Sequence, residues 1–84
     1  MYKLYLERAA ERDLKRLSTE NFYRLITEIK MLAKEPRPPG ARKIIGSKDD
    51  WRIRVGDWRV VYEIDNKQKV VRIMRVRLRR EVYR

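Results

Sequence analysis

Residues 2–6, Tyr2-Lys3-Leu4-Tyr5-Leu6, alternate with period two and predict a short strand. From Ala10 the period changes. Ala10, Leu14 and Leu17 fall at i, i+4 and i+7, one stripe of a short helix, and Glu11 and Lys15 have the i,i+4 spacing and orientation of a favourable pair on its outer side. Ser18 and Thr19 then offer an N-cap for a second helix. Phe22, Leu25, Ile26, Ile29, Leu32 and Ala33 give that helix the cleanest periodic stripe in the chain. It should run to about Lys34, because Pro36 disfavours the α conformation at Glu35. Pro36-Arg37-Pro38-Pro39-Gly40 reads as a stiff connector and not a domain linker, since the stretch after it is too short to fold alone.

Beyond Gly40 the pattern is β. Arg42 to Ile45 predicts a short strand ended by Gly46, and Trp51–Val55, Trp58–Ile64 and Lys69–Arg77 predict three longer ones. Gly56-Asp57 places Gly at the first central position of a two-residue type II′ hairpin, and Asp65-Asn66-Lys67-Gln68 has the composition of a slightly longer turn. The expected architecture is α+β in the order β-α-α-β-β-β-β. An N-terminal strand and a helical hairpin precede a four-stranded, mainly antiparallel sheet whose one face the helices cover. With 84 residues, 1–84 is expected to be one domain.

Composition narrows the chemistry. There is no cysteine and no histidine, which removes disulfides, thiolate zinc sites, a Cys nucleophile and the commonest general base and metal ligand. No cofactor or metal is expected. Apolar runs fall short of the roughly 18 residues of a membrane span, and the N-terminus is too short and alternating for a signal peptide, so a cytoplasmic protein is expected, without membrane contact. Twenty-three Lys plus Arg against 12 Asp plus Glu leave a net charge of +11, and a compact chain that carries this self-repulsion points to a polyanionic partner such as nucleic acid.

The charge is not evenly spread. Residues 1–41 carry nine basic and six acidic side chains, residues 42–84 fourteen and six, so the sheet holds most of the excess. Along the first long strand Trp51, Ile53 and Val55 point one way and Arg52 and Arg54 the other. A two-residue turn at Gly56-Asp57 pairs Val55 with Trp58, Arg54 with Arg59, Ile53 with Val60 and Arg52 with Val61. Like charges directly opposed across strands are unfavourable, so the Arg54–Arg59 pair is best explained by an anion lying on that face. The last strand adds Arg75 and Arg77, in sequence parity with Val71 and Ile73, and Arg79, Arg80 and Arg84 follow near Tyr83. Guanidinium forks match phosphate geometry, and the clustering in adjacent strands favours a binding surface over mere edge protection. Trp51, Trp58 and Tyr62 share the parity of Ile53, Val60 and Ile64 and are read as core, whereas Tyr83, past the last strand and beside arginines, is placed to meet a base or a ribose hydroxyl.

The run from Trp51 to Ile64 and the ending Arg79-Arg80-Glu81-Val82-Tyr83-Arg84 resemble the RelE branch of the RelE/ParE toxin superfamily, and the preceding elements follow in the same order over nearly the whole chain. The resemblance implies the toxin of a type II toxin–antitoxin pair, a metal-independent endoribonuclease that cuts messenger RNA in the ribosomal A site and so inhibits translation. It implies an acidic, RelB-like antitoxin as partner, with the toxin a monomer by itself and a hetero-oligomer with the antitoxin. Arg59 and Arg77 would match the family's phosphate-binding, transition-state-stabilising arginines and Tyr83 its C-terminal catalytic tyrosine. Arg52 and Arg54 would take the two basic positions of the preceding strand, with Arg75, Arg79, Arg80 and Lys43 as further RNA contacts. Two positions depart from the pattern: Leu78 stands where many relatives have His, and arginines stand at 52 and 54 where the best-known member has lysines. The proton acceptor is therefore open among Tyr83, Glu63, Glu81, Lys43, Lys48 and the ribosome itself. A ParE-like gyrase inhibitor and a non-catalytic RNA-binding remnant are the alternative readings.

Overall fold

The computed structural model of the chain describes residues 1–79. Seven elements follow in the expected order: β1 (Lys3–Leu6), α1 (Arg8–Lys15), α2 (Thr19–Met31), β2 (Arg42–Lys43), β3 (Asp50–Val55), β4 (Trp58–Asp65) and β5 (Val70–Leu78). All five strands form one sheet in the order β1-β5-β4-β3-β2. The N-terminal strand is thus part of the sheet. It lies parallel to β5, with Leu4 beside Val71 and Leu6 beside Ile73, while the other neighbours are antiparallel. Long-range pairing of this kind leaves no local signal, which is why the pattern predicts a four-stranded sheet and a separate leading strand.

Ser18 caps α2 as expected, its Oγ accepting the Asn21 N–H at 3.2 Å. The helix proper ends at Met31, short of Lys34, because the amides of Leu32, Ala33 and Lys34 tighten onto carbonyls three residues back before Pro36. Its stripe is buried at Leu25, Ile29, Leu32 and Ala33 and half-buried at Phe22 and Ile26, and with Ala10 and Leu14 of α1 it packs on Ile53, Val55, Val60, Tyr62, Val71, Ile73 and Val76 of the sheet. The connector is anchored to this core: the Tyr62 hydroxyl donates to the buried Pro36 carbonyl at 2.6 Å, and Arg37 stacks over Trp51 at 5.1 Å. Burial pushes the Tyr62 phenol up to about 12, the Arg37 charge opposing and the Glu35 charge adding to it.

The β3–β4 register is the predicted one, Val55 to Trp58 through Arg52 to Val61, on a turn where Gly56 has φ +59°. A Cβ at Gly56 would also stand 3.0 Å from the Arg24 guanidinium of α2. The first strand after the connector is shorter than predicted. It covers Arg42–Lys43 only, since Ile44 and Ser47 turn back toward Asp50 and leave Ile45 exposed in the loop. Among the described residues no helix is long and apolar enough to cross a membrane.

Candidate functional site

The helices cover one face of the sheet, and the opposite face carries the arginines. Cross-strand partners share a face, so the registers place Arg54, Arg59 and Arg77 in one row across β3, β4 and β5. The next row reads Arg42, Arg52, Val61, Arg75, and the one beyond it Asp50, Glu63, Arg72, Tyr5. In that third row Arg72 is shared between Glu63 and Glu7, each at 3.6 Å, and lies over the Tyr5 ring. The face therefore runs from a self-neutralised end to an end, beside the Gly56 turn, where three arginines stand side by side.

One extra residue makes this possible. In unbroken parity with Val71 and Ile73, which face the core, Arg75 and Arg77 would point inward too. Between Tyr62↔Ile73 and Val61↔Arg75 the β4–β5 register slips by one, with Met74 as the unpaired residue of a β-bulge. The bulge turns Arg75 and Arg77 onto the arginine face and puts Val76 into the core opposite Val60. The simple parity that the sequence suggests for Arg75 and Arg77 is corrected accordingly.

The arginines of this face are not equivalent. Arg54 is exposed and Arg52 and Arg77 are half-buried. Arg59, expected on an open surface, is only 2% exposed; its Nη1 donates to its own neighbour's carbonyl, Trp58 O, at 3.2 Å, and its Nε has no hydrogen-bond partner among the described residues. A buried donor without a partner costs free energy that the fold must offset elsewhere, and it is a group that an anion would satisfy. Arg75 is held by Asp13 of α1, Nε to Oδ2 at 2.9 Å and Nη2 to Oδ1 at 3.2 Å. Arg79 is exposed, with its amide bonded to the Asp57 carbonyl at 2.8 Å, which ties the end of β5 to the β3–β4 turn.

Lys43 is not brought into the site. It pairs with Trp51 and so shares the helix-side face, and the β2 residue that joins the arginines is Arg42, opposite Arg52. The sequence points to Lys43 instead because the register of this strand depends on the irregular loop that follows it. Leu78 likewise pairs with Trp58 on the helix side. Arg80, Glu81 and Tyr83 lie outside the described residues. Of the other candidate proton acceptors, Glu63 is ion-paired to Arg72 and Lys48 sits in the β2–β3 loop near it, beyond the acidic row. Among the described residues the row Arg54–Arg59–Arg77 holds guanidinium groups and no proton acceptor.

A small α+β fold with one sheet face covered by a helical hairpin is shared with the toxins of toxin–antitoxin complexes. The family model for the ParE toxin of type II toxin–antitoxin systems matches residues 4–83, and the chain belongs to this family, within the RelE/ParE toxin superfamily. Among solved structures it is similar to the RelE–RelB complex of Pyrococcus horikoshii, at 28% identity and a TM-score of 0.82 over 93% of this chain and 94% of that one. It is also similar to the RelBE2 toxin–antitoxin complex of Mycobacterium tuberculosis, at 25% identity and a TM-score of 0.82 over 93% and 98%. Isolated RelE of E. coli shares the fold, with a TM-score of 0.81 at 24% identity over 99% and 92%. No match is found among curated protein sequences.

Proposed function

We propose that this toxin is a ribosome-dependent endoribonuclease that cuts messenger RNA in the ribosomal A site. The observation that carries the reading is the row Arg54–Arg59–Arg77, with a buried guanidinium at its centre whose Nε has no hydrogen-bond partner among the described residues. When a ribose 2′-oxygen attacks the adjacent phosphorus and the bond to the 5′-oxygen breaks, negative charge grows on the non-bridging oxygens. Preorganised guanidinium groups stabilise that charge without moving a proton. The 2′ proton leaves through a group outside the row, and the 5′-oxygen gains one, giving a 5′-hydroxyl and a 2′,3′-cyclic phosphate, which addition of water opens to a 3′ phosphate. Because a general base contributes about 10²- to 10⁴-fold in rate and the row itself holds none, the reading expects a slow enzyme that depends on the ribosome for positioning. No metal or cofactor is required by this scheme. An acidic antitoxin is the expected partner, in keeping with the toxin–antitoxin complexes of the Pyrococcus and Mycobacterium relatives, and the cytoplasm the expected compartment.

Because the matching family model describes a ParE toxin, inhibition of DNA gyrase is the second reading. Primer extension on messenger bound to programmed ribosomes separates the two, comparing wild type, Arg77→Ala and the same RNA free in solution. Cuts confined to the A site, made by wild type only, are the expected result. No cleavage by wild type, together with inhibition in a gyrase supercoiling assay, would replace the first reading by the second. Failure of both would leave a toxin fold that binds RNA without cutting it.

A further inference from the structure

Strand β1 ends at Leu6, opposite Ile73, and the Glu7 amide closes that edge on the Ile73 carbonyl at 2.9 Å. From Met74 onward the outer edge of β5 has no strand beside it among the described residues. This stretch, just past the bulge, also carries Arg75 and Arg77. An unpaired edge next to a bulge is where a strand twists and frays most readily. Here a side chain takes the place of the missing strand. Asp13, 9% exposed on α1, accepts the Val76 N–H at 2.9 Å on Oδ2 and grips the Arg75 guanidinium with both oxygens.

We propose that Asp13 is a positioning residue for the arginine row: by holding Val76 and Arg75 from α1, it fixes the end of β5 so that Arg77 stays in register beside Arg59. The proposal rests on the ribonuclease reading for its catalytic consequence, but its structural half stands apart from it. Two features favour a built device over a chance ion pair. The carboxylate receives three hydrogen bonds, one of them from a backbone amide, so it fixes the main chain and not only a side chain. It is also engaged at residues 75 and 76, immediately before Arg77, which leaves the strand little freedom between the clamp and the row. Arg75, read from the sequence as an RNA contact, becomes on this view a bolt whose charge is already matched. Asp13 itself does not touch the reacting atoms.

The test uses the full chain as wild type, Asp13→Asn, Arg75→Gln and the double variant, each read in two ways. The first is backbone amide hydrogen exchange at Val76 and Arg77 without substrate. The second is single-turnover cleavage on programmed ribosomes, separating the maximal rate from the half-saturating toxin concentration. Positioning predicts faster exchange at Val76 in Asp13→Asn and a maximal rate lower by up to about 10²-fold, with half-saturation within about threefold of wild type. It also predicts that the double variant is no worse than the single ones, since both act through one clamp. If Asp13 merely masks Arg75 from RNA, Asp13→Asn instead tightens binding at an unchanged rate, and the proposal is overturned. If Arg75 contacts phosphate directly, Arg75→Gln lowers the salt dependence of binding by about 0.7 in log–log slope and its effect adds to that of Asp13→Asn, which also overturns it. Should Asp13→Asn not fold, Arg75→Gln, which keeps the Val76 bond, carries the rate and salt comparison. Should wild type not cleave, the ribonuclease reading fails by itself, and unchanged exchange at Val76 and Arg77 would be the result that sinks the clamp.

Discussion

Replacing Arg59 by methionine should make this protein more stable and destroy its function. Arg59 is almost fully buried, flanked in register by Arg54 and Arg77, and carries an Nε donor without a partner among the described residues. An unmade hydrogen bond on a buried donor costs about 1–3 kcal/mol. Repulsion from the two neighbours adds about 1 kcal/mol in total, since solvent screens their outer ends. Against this, the substitution gives up the 3.2 Å bond to Trp58 O, worth about 1.5 kcal/mol for a charged donor. Methionine is unbranched and fills most of the arginine stem's volume, so it avoids the void that alanine would leave in this site. The balance here is a gain of about 0.5–2.5 kcal/mol, in line with the about 1–4 often found when buried charges are replaced by apolar groups of similar size. For a chain of this size that raises Tm by between about 2 and 20 °C. The assay is thermal unfolding in phosphate-free buffer, repeated with phosphate against sodium chloride of equal ionic strength. Phosphate at about ten times its Kd should add about 1.4 kcal/mol to wild type and nothing beyond the salt control to the variant. Growth arrest should be lost with Arg59→Met. A lower Tm, or equal stabilisation of both proteins by phosphate, would refute the reading of Arg59 as an anion site held at a cost to stability.

Other outcomes follow from the same structure. Gly56→Ala forces an L side chain into φ +59° against the Arg24 guanidinium and should cost about 1–2 kcal/mol in urea unfolding; an unchanged midpoint would mean the turn relaxes freely. Tyr62→Phe removes the hydroxyl bonded to the Pro36 carbonyl and should cost about 1–3 kcal/mol by the same method. Because the Tyr62 phenol is raised in the folded state, wild type should also lose stability as pH rises from 10.0 through about 12, and the difference between wild type and Tyr62→Phe should shrink over that range. At the acid end the sign reverses. Burial alone would raise the Asp13 pKa, but the Arg75 and Val76 hydrogen bonds, with the charges of Arg75 and Arg77, hold it below its ordinary value of 3.8. Its stabilising effect is therefore present above pH 3.8 and lost as pH falls through the lower folded value, so Asp13→Asn and wild type should converge in acid titrations followed by circular dichroism.

Local regularities make much of the fold legible in the chain. The helical stripes from Ala10 to Leu17 and from Phe22 to Ala33 need only periodicity, the α2 start needs only Ser18, and the β3–β4 register follows from two turn residues, Gly56 and Asp57. That register alone sets Arg54 opposite Arg59, because the side-chain period of a strand is two and a short turn leaves no slack. The excess of arginine over acid in the second half, and the lack of Cys and His, likewise set the class of chemistry. What tertiary structure alone decides lies at positions where that period breaks or partners are distant in sequence. The Met74 bulge reverses the facing of Arg75 and Arg77, since one unpaired residue flips every side chain beyond it. The irregular loop after Lys43 brings Arg42, and not Lys43, to the arginine face. Arg59 looks like any other strand arginine in the sequence, and only the folded chain shows that it is buried. Asp13 reads as one more charge on a polar helix, and only the packing of α1 along the open end of β5 gives it Val76 and Arg75, more than sixty residues away, as partners.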